Sequence, residues 1–353
     1  MKTSDFTYHL PPERIAAVPT ERRDASRLLV LDRMTGRCAE TLFAEIGRWL
    51  REGDLLVVNS SRVFPARLIG HRHGTGGKME ALLVERESET DWLCLCRPAK
   101  KLLPGQCLVF GDGRLRGEVI SHRGPGERLI RFDWEGDWWE VIEAVGTTPL
   151  PPYILGARSH RTTLPGDLET LDRERYQTVY ARERGSVAAP TAGLHFTDEL
   201  MASLRAQGIG WVEVTLHVGP GTFLPVMTDD IEDHPMHAEV FTLPPETAEA
   251  IGAARREGRR VIAVGTTAVR TLESCVDDAG IVRAQSGSTD LFIRPGHRFR
   301  SIDAMITNFH LPRSTLLMLV SAFAGRERVL SAYQWAIERG FRFYSYGDAM
   351  LIL

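Results

Sequence analysis

The chain has 353 residues, 43% of them hydrophobic and 25% charged, with a formal net charge of -3. These proportions are globular, leave room for about two domains, and exclude a protein coated in positive charge, while a local basic face over RNA phosphates stays open. The N-terminus has no apolar run of the signal-peptide kind, and the longest apolar stretch, Leu316–Ala324, falls far short of the roughly 20 residues that span a bilayer. A soluble, cytoplasmic protein with no membrane partner is expected.

Leu28–Leu31 reads as a buried strand, and Thr41–Leu50, apolar at 42, 43, 46, 49 and 50, as a helix. Gly53 breaks the chain before a second buried strand, Asp54–Asn59. From 61 to 135 short alternating segments follow one another: Ala66–His71, Lys78–Glu85, Asp91–Arg97, Gln106–Phe110, Arg116–Ser121 and Arg128–Phe132. Six short strands parted by Gly, Pro and Asp, with little helix, predict a small antiparallel β-barrel. Asp137–Val145 reads as one helix, and the stiff, proline-rich Thr148–Tyr153 as the exit.

Alternation of helix and strand then resumes. Thr197 caps a helix with Asp198 and Glu199 in its first turn, Leu200 and Leu204 on its buried side, and Gly208 at its stop. Trp211–Val218 and Arg260–Val264 read as strands, with a helix at Glu246–Glu257 between them. Ser314 or Thr315 caps the apolar helix Leu316–Ala324. Arg326–Arg339 is amphipathic and stopped by Gly340, and Phe341–Tyr346 reads as a final aromatic strand. The fold class is therefore α/β: a mixed main domain of residues 1–60 and 156–353, interrupted by a β-barrel domain at 61–155.

Five cysteines occur, none in a C-x-x-C pair. Cys94 and Cys96 share one strand face. With Cys38, Cys107 and Cys275, the odd count and loose spacing point to reduced, buried thiols rather than a zinc site.

Four loops combine glycine with polar groups beside strand or helix ends. In Ala188–Thr197 (AAPTAGLHFT), Pro190 fixes one dihedral and Gly193 frees another, which sets Thr191 and His195 ahead of a helix N-terminus able to favour an anion. His217–Phe223 (HVGPGTF) offers close backbone approach at Gly219 and Gly221, but Leu224 breaks the dinucleotide fingerprint. In Val264–Glu273, Gly265, Thr266 and Thr267 open a helix as a nest for a carboxylate or phosphate, with Arg270 one turn on as a possible clamp. In Thr307–Thr315, Asn308 and His310 precede a buried helix. Each loop also has a plain structural reading as a capped turn or a satisfied core histidine.

Other features are weaker. His234, His237 and Glu239 could hold a metal, but Pro235 argues against a helix there and the H-E-x-x-H pattern is missing. Gly76-Gly77-Lys78 fails as a phosphate loop, since Arg72 occupies the first glycine position and Met79 the hydroxyl position. Basic residues gather at Arg158–Arg161, Arg182–Arg184, Arg294–Arg300 and Arg326–Arg328, and at Lys100-Lys101 in the barrel.

The long blocks are more specific. AAPTAGLHFT (188–197), TLHVGPGTFLPV (215–226), EDHPMHAE (232–239), VIAVGTTAVRTLES (261–274), TNFHLPRSTLLMLVSAFAG (307–325) and FYSYGDAM (343–350) resemble the S-adenosylmethionine:tRNA ribosyltransferase-isomerase family of queuosine biosynthesis. So do SDFTYHLP (4–11), SRLLVLDR (26–33) and GDLLVVNSSRVFPARL (53–68). Pro220, where the family usually has a small residue, Arg294, often aromatic there, and a long Gly156–Leu171 linker depart from the pattern.

The resemblance implies an α/β domain with an inserted barrel. It implies transfer of the ribosyl part of S-adenosylmethionine, a co-substrate, to 7-aminomethyl-7-deazaguanine at the tRNA wobble position. Isomerisation gives epoxyqueuosine, and adenine and methionine leave. No metal or true cofactor is expected, and a monomer is. A sulfonium acidifies the adjacent ribose C5′–H, so His195, His217 and His310 are candidate bases, with Thr191 also in the catalytic set. Asp348 or a histidine is a candidate acid for departing adenine. Gly193, Gly219, Gly221, Gly265, Thr266, Thr267, Arg270 and Asn308 are candidate substrate contacts, with Tyr344 or Tyr346 beneath the sulfonium. Arg62, Arg67, Lys100 and Lys101 are candidate tRNA contacts. An RNA-binding module without catalysis and a metal hydrolase through His234, His237 and Glu239 are the competing classes.

Overall fold

The computed structural model describes residues 1–219, 221 and 226–353. Among them a nine-stranded mixed sheet forms the body. Its order, edge to edge, is Gln285–Thr289, Glu239–Leu243, Gly210–Leu216, Leu55–Asn59, Val261–Val264, Ala304–Asn308, Ala349–Ile352, Arg27–Leu31 and Cys38–Leu42. The four strands from Gly210–Leu216 to Ala304–Asn308 are mutually parallel.

The central strands are apolar on both sides because both sides are covered. Leu55 and Val57 face one cluster, with the helices Thr266–Ser274, Thr315–Ala324 and Arg326–Glu338. Leu56 and Val58 face the other, with Phe43, Ile46, Phe196 and the helix Asp198–Ala206.

Six antiparallel strands (Arg67–Arg72, Lys78–Arg86, Asp91–Arg97, Glu127–Trp134, Leu115–Gly124 and Cys107–Phe110) form a closed barrel. Pairing of Gly70–Arg72 with Leu108–Phe110 seals it. Trp92, Cys94, Cys96, Phe110 and Phe132 fill its interior. The alternation in the sequence located all six strands, and Asp137 caps the following helix, Trp138–Val145. Cys107, unlike the other thiols, is exposed.

Several expectations fail locally. Thr41–Leu50 is not one helix: Cys38–Leu42 is a strand and Phe43–Arg48 a 3-10 turn, whose buried Phe43 and Ile46 recur at three residues rather than 3.6. The Gly156–Leu171 stretch is not a plain linker, because helices Pro152–Ser159 and Leu168–Arg175 occupy half of it. They are tied by the buried ion pair Arg158–Asp172 at 2.6 Å, so Arg158 is not a free surface charge. Phe341–Tyr346 is not a strand. Its aromatic residues pack as a loop in which Tyr344 has φ +72°, and the strand is Ala349–Ile352. No described helix is long and apolar enough to cross a membrane.

Candidate active site

The parallel strands Leu55–Asn59, Val261–Val264 and Ala304–Asn308 end at one edge of the sheet, the position where open α/β sheets place ligands. A cleft of about 640 Å³, open mouth included, lies there. Thr191, Gly265, Thr266, Thr267, Asn308, His310 and Tyr344, all expected from sequence, line it.

Gly265 leaves its strand at φ +91° and ψ 152°, a backbone region open essentially to glycine alone, and turns the chain into the helix Thr266–Ser274. That helix N-terminus faces the cleft, and Ser314, capping the helix Thr315–Ala324, stands in the same wall. Asn59, which the sequence did not single out, accepts from Leu216 N and Ser61 N and donates to Leu216 O and to Thr267 Oγ1 at 3.1 Å. It thereby fixes one hydroxyl of the nest. Tyr153 was also missed. Its ring lies 4.7 Å from that of Tyr344, centroid to centroid, and its hydroxyl meets Ser345 Oγ at 2.6 Å. No Lys, Arg, Asp or Glu side chain lines the cleft among the described residues.

His195 stands behind this wall. Its ring is buried against Phe43, Nδ1 lies 2.7 Å from Ser26 Oγ, and Nε2 lies 3.1 Å from Asn308 Nδ2. Burial, with Arg342 and Arg23 adding, pushes its pKa down to about 3. A sealed, neutral imidazole with both nitrogens engaged has no free lone pair for substrate, which counts against His195 as a base. His310 does reach the cleft, with Nε2 2.8 Å from Thr307 Oγ1, and burial lowers its pKa to about 3 as well.

Other expected residues lie elsewhere. His217 points into a separate groove with Ser60, Arg182 and Trp211, because the alternation of its strand turns Val218, not His217, to the cleft. Arg270 faces away from the nest. Its guanidinium pairs with Glu239 and donates to Leu291 O and Thr289 O, so it clamps no anion at Gly265. Glu239, held by Arg270 and accepting from Gly219 N at 2.8 Å, is bound to a cation and a backbone N–H, which opposes a metal site with His234 and His237. Gly219 thus serves Glu239, and Gly221 adjoins His237 in a second pocket. Pro220 and residues 222–225 of the loop lie outside the described residues.

Tyr346 turns its hydroxyl to Asp172 Oδ1 at 3.0 Å, away from the cleft. Asp348 is buried and accepts from Arg27 N and Arg342 N, so it closes the 342–348 loop rather than serving as an acid. Gly193 has no cleft face and no positive φ; it makes room for Tyr180. The N-terminus of Asp198–Ala206 does not line the cleft either; Thr197 itself satisfies Leu200 N.

On the barrel side, Arg62, Lys100 and Lys101 are exposed. Arg67 is ion-paired with Glu80 at 2.7 Å and half-buried, so its charge is already partnered.

The queuosine biosynthesis protein family model matches residues 3–352. The S-adenosylmethionine:tRNA ribosyltransferase-isomerase of Desulfitobacterium hafniense is 51% identical over 353 residues, 100% of each chain. That of Moorella thermoacetica is 52% identical over 354 residues, again 100% of each. A crystal structure of S-adenosylmethionine tRNA ribosyltransferase from Thermotoga maritima, 39% identical, superposes with a TM-score of 0.54 over 99% of this chain and 100% of that one. With its sequence matched almost end to end, the chain belongs to the queuosine biosynthesis protein family.

Proposed function

We propose that this enzyme transfers the ribosyl part of S-adenosylmethionine to 7-aminomethyl-7-deazaguanine at the tRNA wobble position and isomerises it, giving epoxyqueuosine-tRNA, adenine and methionine. The observation that carries the reading is an uncharged cleft at the sheet edge, with two helix N-termini and two tyrosines in its wall. S-adenosylmethionine has a sulfonium, an ammonium and one carboxylate. The N–H groups of Thr266 and Thr267, at the N-terminus of their helix, suit the carboxylate, while the Gly265 N–H is held by Ile306 O at 2.8 Å. The faces of Tyr153 and Tyr344 suit the sulfonium, and a lysine or arginine in that wall would repel it. Burial raises both phenols, so the rings stay neutral.

Thr191 and His310, among the polar side chains of the cleft, are proposed to hold or pass a proton beside the reacting ribose. No metal or further cofactor is invoked. The exposed Lys100, Lys101 and Arg62 are proposed to meet tRNA phosphates, and the enzyme is proposed to act as a cytoplasmic monomer.

The test is incubation with S-adenosylmethionine and tRNA bearing the aminomethyl base. Adenine release that requires that tRNA is expected. Release independent of the tRNA, or none with it, would overturn the reading.

A further inference from the structure

Behind the cleft runs a hydrogen-bond chain whose direction is fixed at both ends by carbonyl groups, which only accept. At one end, the Asn308 side-chain atom 3.2 Å from Tyr344 O must be Nδ2. The second Nδ2 proton goes to His195 Nε2 at 3.1 Å, so Nε2 is unprotonated and Nδ1 carries the hydrogen. Nδ1–H then donates to Ser26 Oγ at 2.7 Å, and Ser26 donates to Arg23 O at 3.3 Å. Every link agrees with a single tautomer. Tyr344 O is itself anchored, accepting from Gly347 N at 2.9 Å.

The chain spends both protons of the Asn308 amide and leaves Oδ1 over. That oxygen is buried, has no partner among the described residues, and belongs to a side chain in the cleft wall. A buried acceptor without a donor calls for one. Val264 pairs with Ile306, so Gly265 and Asn308 leave neighbouring strands within a residue or two of each other. A carboxylate held at the Gly265 nest would carry its α-ammonium toward this wall, which offers no Asp or Glu among the described residues.

We infer that Asn308 Oδ1 accepts a hydrogen bond from the α-ammonium of S-adenosylmethionine, and that His195 is a positioning residue that holds the amide oxygen toward the cleft. The inference rests on the cleft being the S-adenosylmethionine site. The physical point is that an isolated asparagine amide can turn over. Here the unprotonated Nε2 rewards only the orientation that presents oxygen to the ligand.

Calorimetry with S-adenosylmethionine and with its analogue lacking the α-amine tests this. The wild-type protein should prefer S-adenosylmethionine by about ten- to hundredfold, the range of one hydrogen bond to a charged group. In Asn308→Ala that preference should drop by at least about tenfold, with affinity for the deaminated analogue little changed. His195→Ala should weaken the preference in the same way, and His195→Gln should restore it, since a glutamine amide can accept from Asn308 and donate to Ser26. In turnover, His195→Ala should raise KM for S-adenosylmethionine more than it lowers kcat.

An unchanged preference in Asn308→Ala overturns the inference while leaving the cleft assignment standing. A wild-type protein that binds the deaminated analogue as tightly as S-adenosylmethionine does the same without any variant. Failure of the wild type to bind S-adenosylmethionine at all removes the cleft reading and the inference with it.

Discussion

At Gly193 a Cβ would fall on the Tyr180 hydroxyl and within 2.8 Å of Thr178 Cγ2. Tyr180 cannot swing aside, because its ring is wedged between Phe196 and Trp211. Gly193→Ala should therefore cost about 1–3 kcal/mol, seen as a lowered Tm. Tyr180→Phe removes a buried hydroxyl that has no partner among the described residues, so alone it should be close to neutral, and it should recover part of the loss in the double variant. Additive effects in that cycle would refute the contact.

The two sealed histidines give a second prediction at this scale. Burial lowers His195 and His310 to about 3, against about 6.5 in an unfolded chain. Between those values the unfolded state holds a proton that the native state does not, so stability rises with pH across the window and is lost on acidification. From pH 6.5 to 5 each histidine should cost up to about 2 kcal/mol. Thermal melts of His310→Gln should show a flatter decline of Tm over that range. A slope equal to that of wild type would mean that His310 is not held neutral.

Among the elements, the turn from Val261–Val264 into Thr266–Ser274 depends on Gly265 keeping its left-handed backbone. A Cβ there meets nothing closer than Ala192 at 3.6 Å, so the obstacle to alanine is conformational rather than steric. Gly265→Ala should cost about 1–3 kcal/mol and weaken S-adenosylmethionine binding by tilting the nest. Full affinity with a normal Tm would place the carboxylate elsewhere.

Elements of this kind were legible because their signals are local. Leu55–Val58 is an unbroken apolar run, the barrel strands alternate, and Gly265-Thr266-Thr267 joins a strand to a helix. The misreadings share a cause in contacts made far along the chain. His195 draws its role from Ser26 and Asn308, 169 and 113 residues away. Arg270 looked like an anion clamp until Glu239, 31 residues away, supplied its partner. Phe341–Tyr346 carries the composition of a strand, yet Phe341 and Phe343 serve packing, while Asp348 takes the backbone N–H of Arg342 that a ladder would have used.

For the molecule as a whole, a net charge of -3 means that any grip on tRNA must be local. Several of the arginine clusters have one member already paired: Arg182 with Glu213 at 2.6 Å, Arg300 with Asp278 at 2.7 Å and Arg158 with Asp172. Lys100 and Lys101, exposed on the Ala99–Lys101 turn of the barrel, have no acidic partner among the described ion pairs. Replacing both by alanine should weaken tRNA binding and reduce the slope of log affinity against log salt by about 1–2, while leaving S-adenosylmethionine affinity unchanged. An unaltered slope would move the RNA track off the barrel.

The way the barrel joins the body has a consequence for how such a protein can change over time. Arg67 and Leu68, at the barrel's entrance, pair with Thr147 and Gly146 at its exit, so the excursion leaves and returns through one doorway. Its sheet closes on itself and, among the described residues, does not borrow a strand from the body. Body residues also touch it, Arg173 and Arg184 at Glu143 among them, but a module that lends the body sheet no strand among the described residues can be lengthened, trimmed or exchanged without redrawing the strand order that builds the cleft. With the tRNA contacts proposed on the barrel and S-adenosylmethionine proposed in the cleft, selection can act on the two as separable traits of one gene product.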